Sequence, residues 1–243
     1  MLKRGVHIQD KGCYTLSPAK AFSIRGRDYL KKKKKYAPDD AMFELVGVDT
    51  FKTKECIPHP CAWTDSVYQR AKQNYQNAGE PCPRFIVINF MCPADPDINL
   101  ILYFAEKPFE PKTQDDHNWK RLLDHFMDCS DLKFCKKRLK LIPLCVKGPW
   151  LVKKAMGSPA LIAKKIETSF HKHDDSLEIS IDVGSSSIAK SVLGNVSDAL
   201  TSLVIDLGFT IEGKLENELP ERLIGGCRVQ YVDLDELRWL NQE

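Results

Sequence analysis

From Leu177 to Val183 apolar and polar residues alternate strictly: Leu177, Ile179, Ile181 and Val183 fall on one side of an extended segment, Glu178, Ser180 and Asp182 on the other. That spacing predicts a strand over 177–183 with one buried and one polar face. Gly184 is suited to ending it, and a serine among Ser185, Ser186 and Ser187 can cap the first free amides of a helix. Ile188, Val192, Val196, Ala199, Leu200 and Leu203 then recur at three- and four-residue steps, which predicts an amphipathic helix over 187–201. Alternation resumes with Leu203, Ile205, Leu207, Phe209 and Ile211 against Asp206, Thr210 and Glu212, predicting a strand over 203–212.

The same reading predicts further strands over 21–26, 42–49, 84–91, 98–105, 139–146, 150–155 and 227–233, and helices over 65–77, 115–129, 160–170 and 235–241. Pro93, Asp95, Pro96 and Asp97 form a turn cluster that makes a hairpin of the strands on either side. Lys147, Gly148 and Pro149 suggest a second hairpin, joining 139–146 to 150–155. Two hairpins favour an α+β class: a mostly antiparallel, curved sheet with helices packed on one side. Without internal repeats or a long linker, 1–243 reads as a single domain.

Composition narrows the setting. At 43% hydrophobic and 28% charged residues, 243 residues suffice for a substantial core. No apolar run approaches the ~20 residues of a membrane helix. The start (Met1, Leu2, Lys3, Arg4, Gly5) lacks a signal-peptide core, so a cytoplasmic protein is expected. Nine scattered cysteines without a two-residue-spaced pair fit reduced thiols. The net charge of +3 conceals a gradient: 15 basic and 9 acidic residues in 1–80, 16 and 10 in 81–172, but 5 and 14 in 173–243. Either a basic front opposes an acidic back, or the two sets interleave and cancel.

Several ordered motifs carry a family resemblance across roughly 13–233. They include Phe22 to Gly26 with Tyr29 and the lysines after it, Phe43 to Asp49, Asn89 with Pro93, Lys140 to Pro143, and Gly148 to Lys153. Leu177 to Ser187, Asp206, Glu212 with Gly213, and Leu219 to Glu221 complete the set. The chain thereby resembles the C-terminal domain of Enhanced Disease Resistance 2, departing from its pattern at Ser180, where an acid is more usual, and Tyr14, where Trp is. Longer family members carry a lipid-binding START domain and a phosphoinositide-binding pleckstrin-homology domain ahead of this one. The resemblance implies a lipid-linked, membrane-associated setting and brings no catalytic residue or cofactor with it.

Candidate binding chemistry lies mainly in cations. Lys31, Lys32, Lys33, Lys34 and Lys35 follow Arg25 and Arg27 and precede Tyr36; they suit anionic lipid headgroups, a solvated loop or an import-like signal. Lys133, Lys136, Lys137, Arg138 and Lys140 form a second cluster, and membrane docking gains if both share a face. The helix start at Gly184 to Ser187 is either simply capped or holds a phosphate, with Ser185, Lys153 and Lys154 as headgroup contacts.

Other constellations compete. Glu178, Asp182, Asp206 and Glu212 could form an acid/base pair if their strands are neighbours, or be solvent-exposed or paired with Lys153, Arg222 or Arg228. Cys56, His59 and Cys61, with Cys13 and Cys82 at a distance, match no standard zinc spacing, and His171 and His173 read as a solvated turn. No metal or cofactor is therefore expected. Phe85, Val87, Phe90, Ile101, Tyr103, Ile142, Leu144 and Trp150 are core or the lining of a lipid cavity such as START-like, helix-grip folds enclose, although here a strand follows the capped helix.

The favoured reading is a non-catalytic lipid- or phosphoinositide-binding module, cytoplasmic and peripheral to membranes, whose partners are anionic lipids. The alternatives are a protein-interaction module with a protein partner and an enzyme using the strand carboxylates. Nucleic acid is not expected, since few aromatics beyond Tyr29 and Tyr36 accompany the cations.

Overall fold

The structure, a computed structural model, describes residues 2–7 and 9–240. Met1 and the end of the helix expected over 235–241 lie outside them. The elements are β1 (Lys3–Arg4), β2 (Cys13–Leu16), β3 (Ile24–Arg25), α1 (Tyr29–Lys32), β4 (Lys35–Tyr36), β5 (Phe43–Thr53), α2 (Val67–Ala78), β6 (Phe85–Cys92) and β7 (Asp97–Glu106). They continue with α3 (Gln114–Asp128), α4 (Leu132–Lys136), β8 (Leu139–Lys147), α5 (Trp150–Ala155), β9 (Ala160–Leu161), β10 (Glu167–Lys172), β11 (Ser176–Asp182), α6 (Ser187–Ser197), β12 (Val204–Ile211) and β13 (Leu223–Gln230).

The α+β class holds, with the strands divided between two principal sheets. One is six-stranded in the order β1-β2-β13-β12-β8-β9, the other five-stranded in the order β10-β11-β6-β7-β5, and β3 pairs with β4 separately. Most pairings are antiparallel; β1 with β2 and β11 with β6 are parallel. The expected hairpin of β6 and β7 forms, with Ile88 opposite Leu102.

The inner faces of the two sheets share one core. Ile86, Ile88, Leu102 and Phe104 of one sheet belong to the same buried cluster as Leu207, Phe209 and Ile211 of the other. Phe104 and Phe209 meet edge-on with centroids 5.8 Å apart. Helix α3 adds Trp119, Leu122, Leu123, Phe126 and Met127 to this core. Its start is fixed by a capping box, in which Thr113 accepts from the Asp116 amide and Asp116 accepts from the Thr113 amide. On the other face of the five-stranded sheet, Phe85, Val87, Ile101 and Tyr103 pack with Tyr68 of α2 and Cys61. On the outer face of the six-stranded sheet, Phe22, Ile24, Ile142 and Leu223 form a third cluster.

Several expectations are corrected. Trp150–Ala155 is helix α5: Pro149 precedes it and its carbonyl accepts from Lys153 N–H at 3.1 Å, starting a turn that a short Trp-Leu-Val run does not announce. The second hairpin is therefore absent, and β8 pairs with β12 and β9. The helix expected over 160–170 is β9, a 3₁₀ turn and β10; Thr168 and Phe170 are buried while Glu167 and Ser169 are exposed, a period of two. Only Ile24–Arg25 of 21–26 is strand. Residues 235–240 form no helix, and Trp239 instead bridges to Lys52. Strand β13 begins at Leu223, earlier than 227; Gly225 and Gly226 pair within the ladder but break the apolar alternation that would announce it.

The polar face predicted for β11 is also buried: Glu178 and Ser180 are fully enclosed. The segment between β5 and α2 covers it. Asn89 and Asn99 amides donate to the Ile57 carbonyl, Ser180 donates to Pro58, and Glu178 accepts from Cys61 N–H at 2.9 Å.

Candidate functional site

Apolar strand faces and an amphipathic helix bound a cavity of about 710 Å³ between the two sheets. Phe90 and Leu100 contribute from one sheet, and Ile205, Leu207 and Val229 from the other. Helix α6 forms its roof through Ile188, Ala189, Val192, Leu193 and Val196. Ala189, Leu193 and Val196 touch the edge of the inter-sheet core while also lining the cavity, and none of the helix's residues is fully buried. The volume falls within the ~300–1,000 Å³ common for small-molecule sites, and the wall is mainly aliphatic. Of the proposed cavity residues, Phe90 lines it. Phe85, Val87, Ile101 and Tyr103 lie in the core under α2, Ile142 and Leu144 on the outer face of the six-stranded sheet, and Trp150 is exposed.

A polar pocket of about 460 Å³ shares Pro159, Ala160 and Lys165 with the cavity wall. Arg25, Tyr29, Lys35, Lys140, Lys164 and Glu212 line it. The pairing of β3 with β4 sets Arg25 opposite Lys35, and Lys140, one buried member of the second basic cluster, arrives from β8. Arg25 donates to the Gly213 carbonyl at 2.8 Å, approaches Glu212 at 3.0 Å and stacks on Tyr29. Lys140 contacts the fully buried Glu221 at 2.5 Å; burial lowers its pKa against the pull of that carboxylate. Among the described residues, Lys35, Lys164 and Lys165 have no carboxylate within ion-pair distance, so the pocket mouth carries uncompensated positive charge.

The remaining proposed cations do not line this pocket. Arg27 pairs with Asp115, Lys31 with Glu216 at 2.9 Å, and Lys32 with Asp28 at 2.8 Å. Lys33 turns the chain in the left-handed region (φ 55°) over Tyr29, while Lys34 has no ion-pair partner among the described residues. Lys153 and Lys154 lie on α5 beside Trp150 and Leu151, which are 67% and 56% exposed, and α5 packs on α6, where Ile188 is 72% exposed. An apolar, lysine-flanked tip therefore sits at the roof of the cavity. Ser185 donates to the Asp182 carbonyl and accepts from Glu167 N–H at 2.8 Å; Ser186 caps α6.

The strand carboxylates do not converge. Glu178 and Asp206 stand in different sheets. Asp206 is fully buried against Arg228 at 2.7 and 2.8 Å, Asp182 accepts from Gly184 N–H, and Glu212 joins Arg25. Glu216, Glu218 and Glu221 likewise bind cations from the first two thirds of the chain, so the charge gradient interleaves in space.

Histidine placement was missed in the sequence. His171 lies on β10 directly opposite Glu178, and His59 Nδ1 is 3.0 Å from that carboxylate. Cys56 lies apart near Ile98, and all nine cysteines are free.

An α+β fold of two facing sheets flanking an apolar cavity, open on one side, with a basic pocket at its wall, is the class these features define. The family model for the C-terminal region of Protein ENHANCED DISEASE RESISTANCE 2 matches residues 14–233, and the chain belongs to that family. A "Protein ENHANCED DISEASE RESISTANCE 2-like" of Arabidopsis thaliana is 34% identical over 225 residues, covering 92% of this chain. The chain spans 29% of that relative's length. No solved structure matches significantly. Among the described residues no helix is long and apolar enough to cross a membrane.

Proposed function

We propose that the domain is a non-catalytic lipid-binding module that holds an apolar chain between its sheets and associates peripherally with anionic membranes. The observation that carries this reading is the aliphatic cavity of about 710 Å³ roofed by α6. Burial of an apolar chain there gains ~25 cal/mol per Å² removed from water. The adjoining pocket supports a phosphorylated headgroup: Lys35, Lys164 and Lys165 supply unpaired cations where the two spaces share a wall. Phosphoinositides and other anionic phospholipids fit that chemistry. Trp150, Leu151 and Ile188, with Lys153 and Lys154, form the membrane-facing surface in this reading, since apolar side chains enter the interface while lysines meet its negative potential.

Purified protein is incubated with liposomes containing phosphatidylcholine alone or with phosphatidylinositol phosphates, recovered, and examined by native mass spectrometry. A bound lipid mass, with flotation that weakens as salt rises, is expected. Recovery without lipid, together with absent flotation at low salt, overturns the reading.

A further inference from the structure

On the face of the five-stranded sheet opposite the cavity, a fully buried carboxylate is surrounded by imidazoles. Glu178 is 0% exposed, and the groups facing it are His59 Nδ1 at 3.0 Å, Cys61 N–H at 2.9 Å and His173 Nε2 at 3.8 Å. No lysine or arginine among the described residues forms an ion pair with it. A buried carboxylate without a matching cation is costly. The His173 Nε2 atom is itself buried and lacks a hydrogen-bond partner. His171, opposite Glu178 in the β10–β11 ladder, places its ring edge-on to that of His59 with centroids 4.2 Å apart.

We infer that His59, His171 and Glu178 bind a divalent transition-metal ion of the zinc class. One donor atom from each lies within 4.8 Å of the other two, a spacing that small side-chain rotations close around one ion. Two imidazoles and one carboxylate suit zinc and its first-row neighbours; calcium and magnesium prefer sets built from oxygen alone. Cys61 and His173 form an overlapping group with Glu178 that extends the donor supply. The site is partly preorganised: Pro58 and Pro60 stiffen the chain around His59, and the hydrogen bonds to Ile57, Pro58 and Cys61 fix this segment on the sheet. His59 remains 48% exposed at its side chain, which leaves an entry path. The ion would neutralise Glu178 and clasp the segment between β5 and α2 to β10 and β11.

The test is titration of the chelator-treated full chain with zinc chloride, followed by calorimetry and thermal melting. One zinc ion per chain with a raised melting temperature is expected; His59→Ala and His171→Ala should each weaken binding at least tenfold, while the remote, exposed His117→Ala leaves it unchanged. His171→Asn, which keeps a polar side chain on the strand, provides a folded comparison and should show the same loss. Absence of stoichiometric binding overturns the inference. So does equal affinity in wild type and a folded His59→Ala/His171→Asn variant, which would place zinc on unrelated thiols or histidines.

Discussion

Phe22 lies over Gly208 so closely that a Cβ on that glycine would stand 2.5 Å from the aromatic ring. Gly226, opposite Gly208 in the β12–β13 ladder, meets the same ring. The paired glycines form a flat seat through which the segment before β3 docks on the six-stranded sheet, and the position of Arg25 follows from it. Gly208→Val should destabilise the fold by at least the ~1–3 kcal/mol typical of overpacking, measured by chemical denaturation. An unchanged midpoint would remove Phe22 as the anchor of this segment.

Filling the cavity should separate ligand binding from folding. Ala189→Trp and Val196→Trp place bulk on the side of α6 that lines the cavity. Lipid recovered from liposomes by native mass spectrometry should fall at least tenfold, with the melting temperature maintained. Undiminished recovery would put the lipid elsewhere.

The exposed tip and the basic pocket should fail in different ways. Trp150→Ser with Leu151→Ser removes two apolar groups, each worth ~1.5–3 kcal/mol if fully buried in the interface, so flotation should drop at least tenfold on neutral and anionic vesicles alike. Lys164→Glu with Lys165→Glu should abolish the preference for anionic vesicles and its salt dependence, leaving weak neutral binding. Identical behaviour of the two double variants would merge the two surfaces into one.

Acid should loosen the attachment of α3 to the chain before β13. Burial opposes ionisation of Asp116, but hydrogen bonds from Lys112 and Thr113 and the Arg222 guanidinium outweigh it and hold its pKa at about 2, below the ordinary 3.8. A depressed folded-state pKa gives stability that is complete above the unfolded value and is lost as pH falls through about 4 towards 2. Asp116→Asn should lower stability at pH 7 and flatten that part of the acid limb, read from denaturation midpoints across the pH range. An unaltered acid limb would refute this assignment.

What could be read in the sequence depended on how directly local pattern reports burial. The spacing of Leu177, Ile179 and Ile181 and of Ile205, Leu207 and Phe209 identified β11 and β12 because each side chain reaches the inter-sheet core. The same alternation misjudged Glu178 and Ser180, since a segment more than a hundred residues earlier covers their face. For α6, periodicity marked an apolar stripe at Val192 and Val196 but carried no information about whether the opposite wall is in contact or set back. The lysine run drew attention by local density, whereas Lys164 and Lys165 reach the basic pocket through the return of the chain after α5. His59, His171 and Glu178 were separated by sequence distance and united by strand register.

Helix α6 leaves β11 through a short 3₁₀ turn at Val183–Ser185 and reaches β12 through another at Leu200–Ser202. Its two ends are thereby tethered to opposite walls of the chamber, like a rope bridge and unlike a hinged flap. In the proposed lipid-binding reading, a guest therefore enters beside the helix, since neither end is free to swing out. If the chamber holds a lipid as proposed, a change in the spacing of the two sheets is expected to alter how readily it loads.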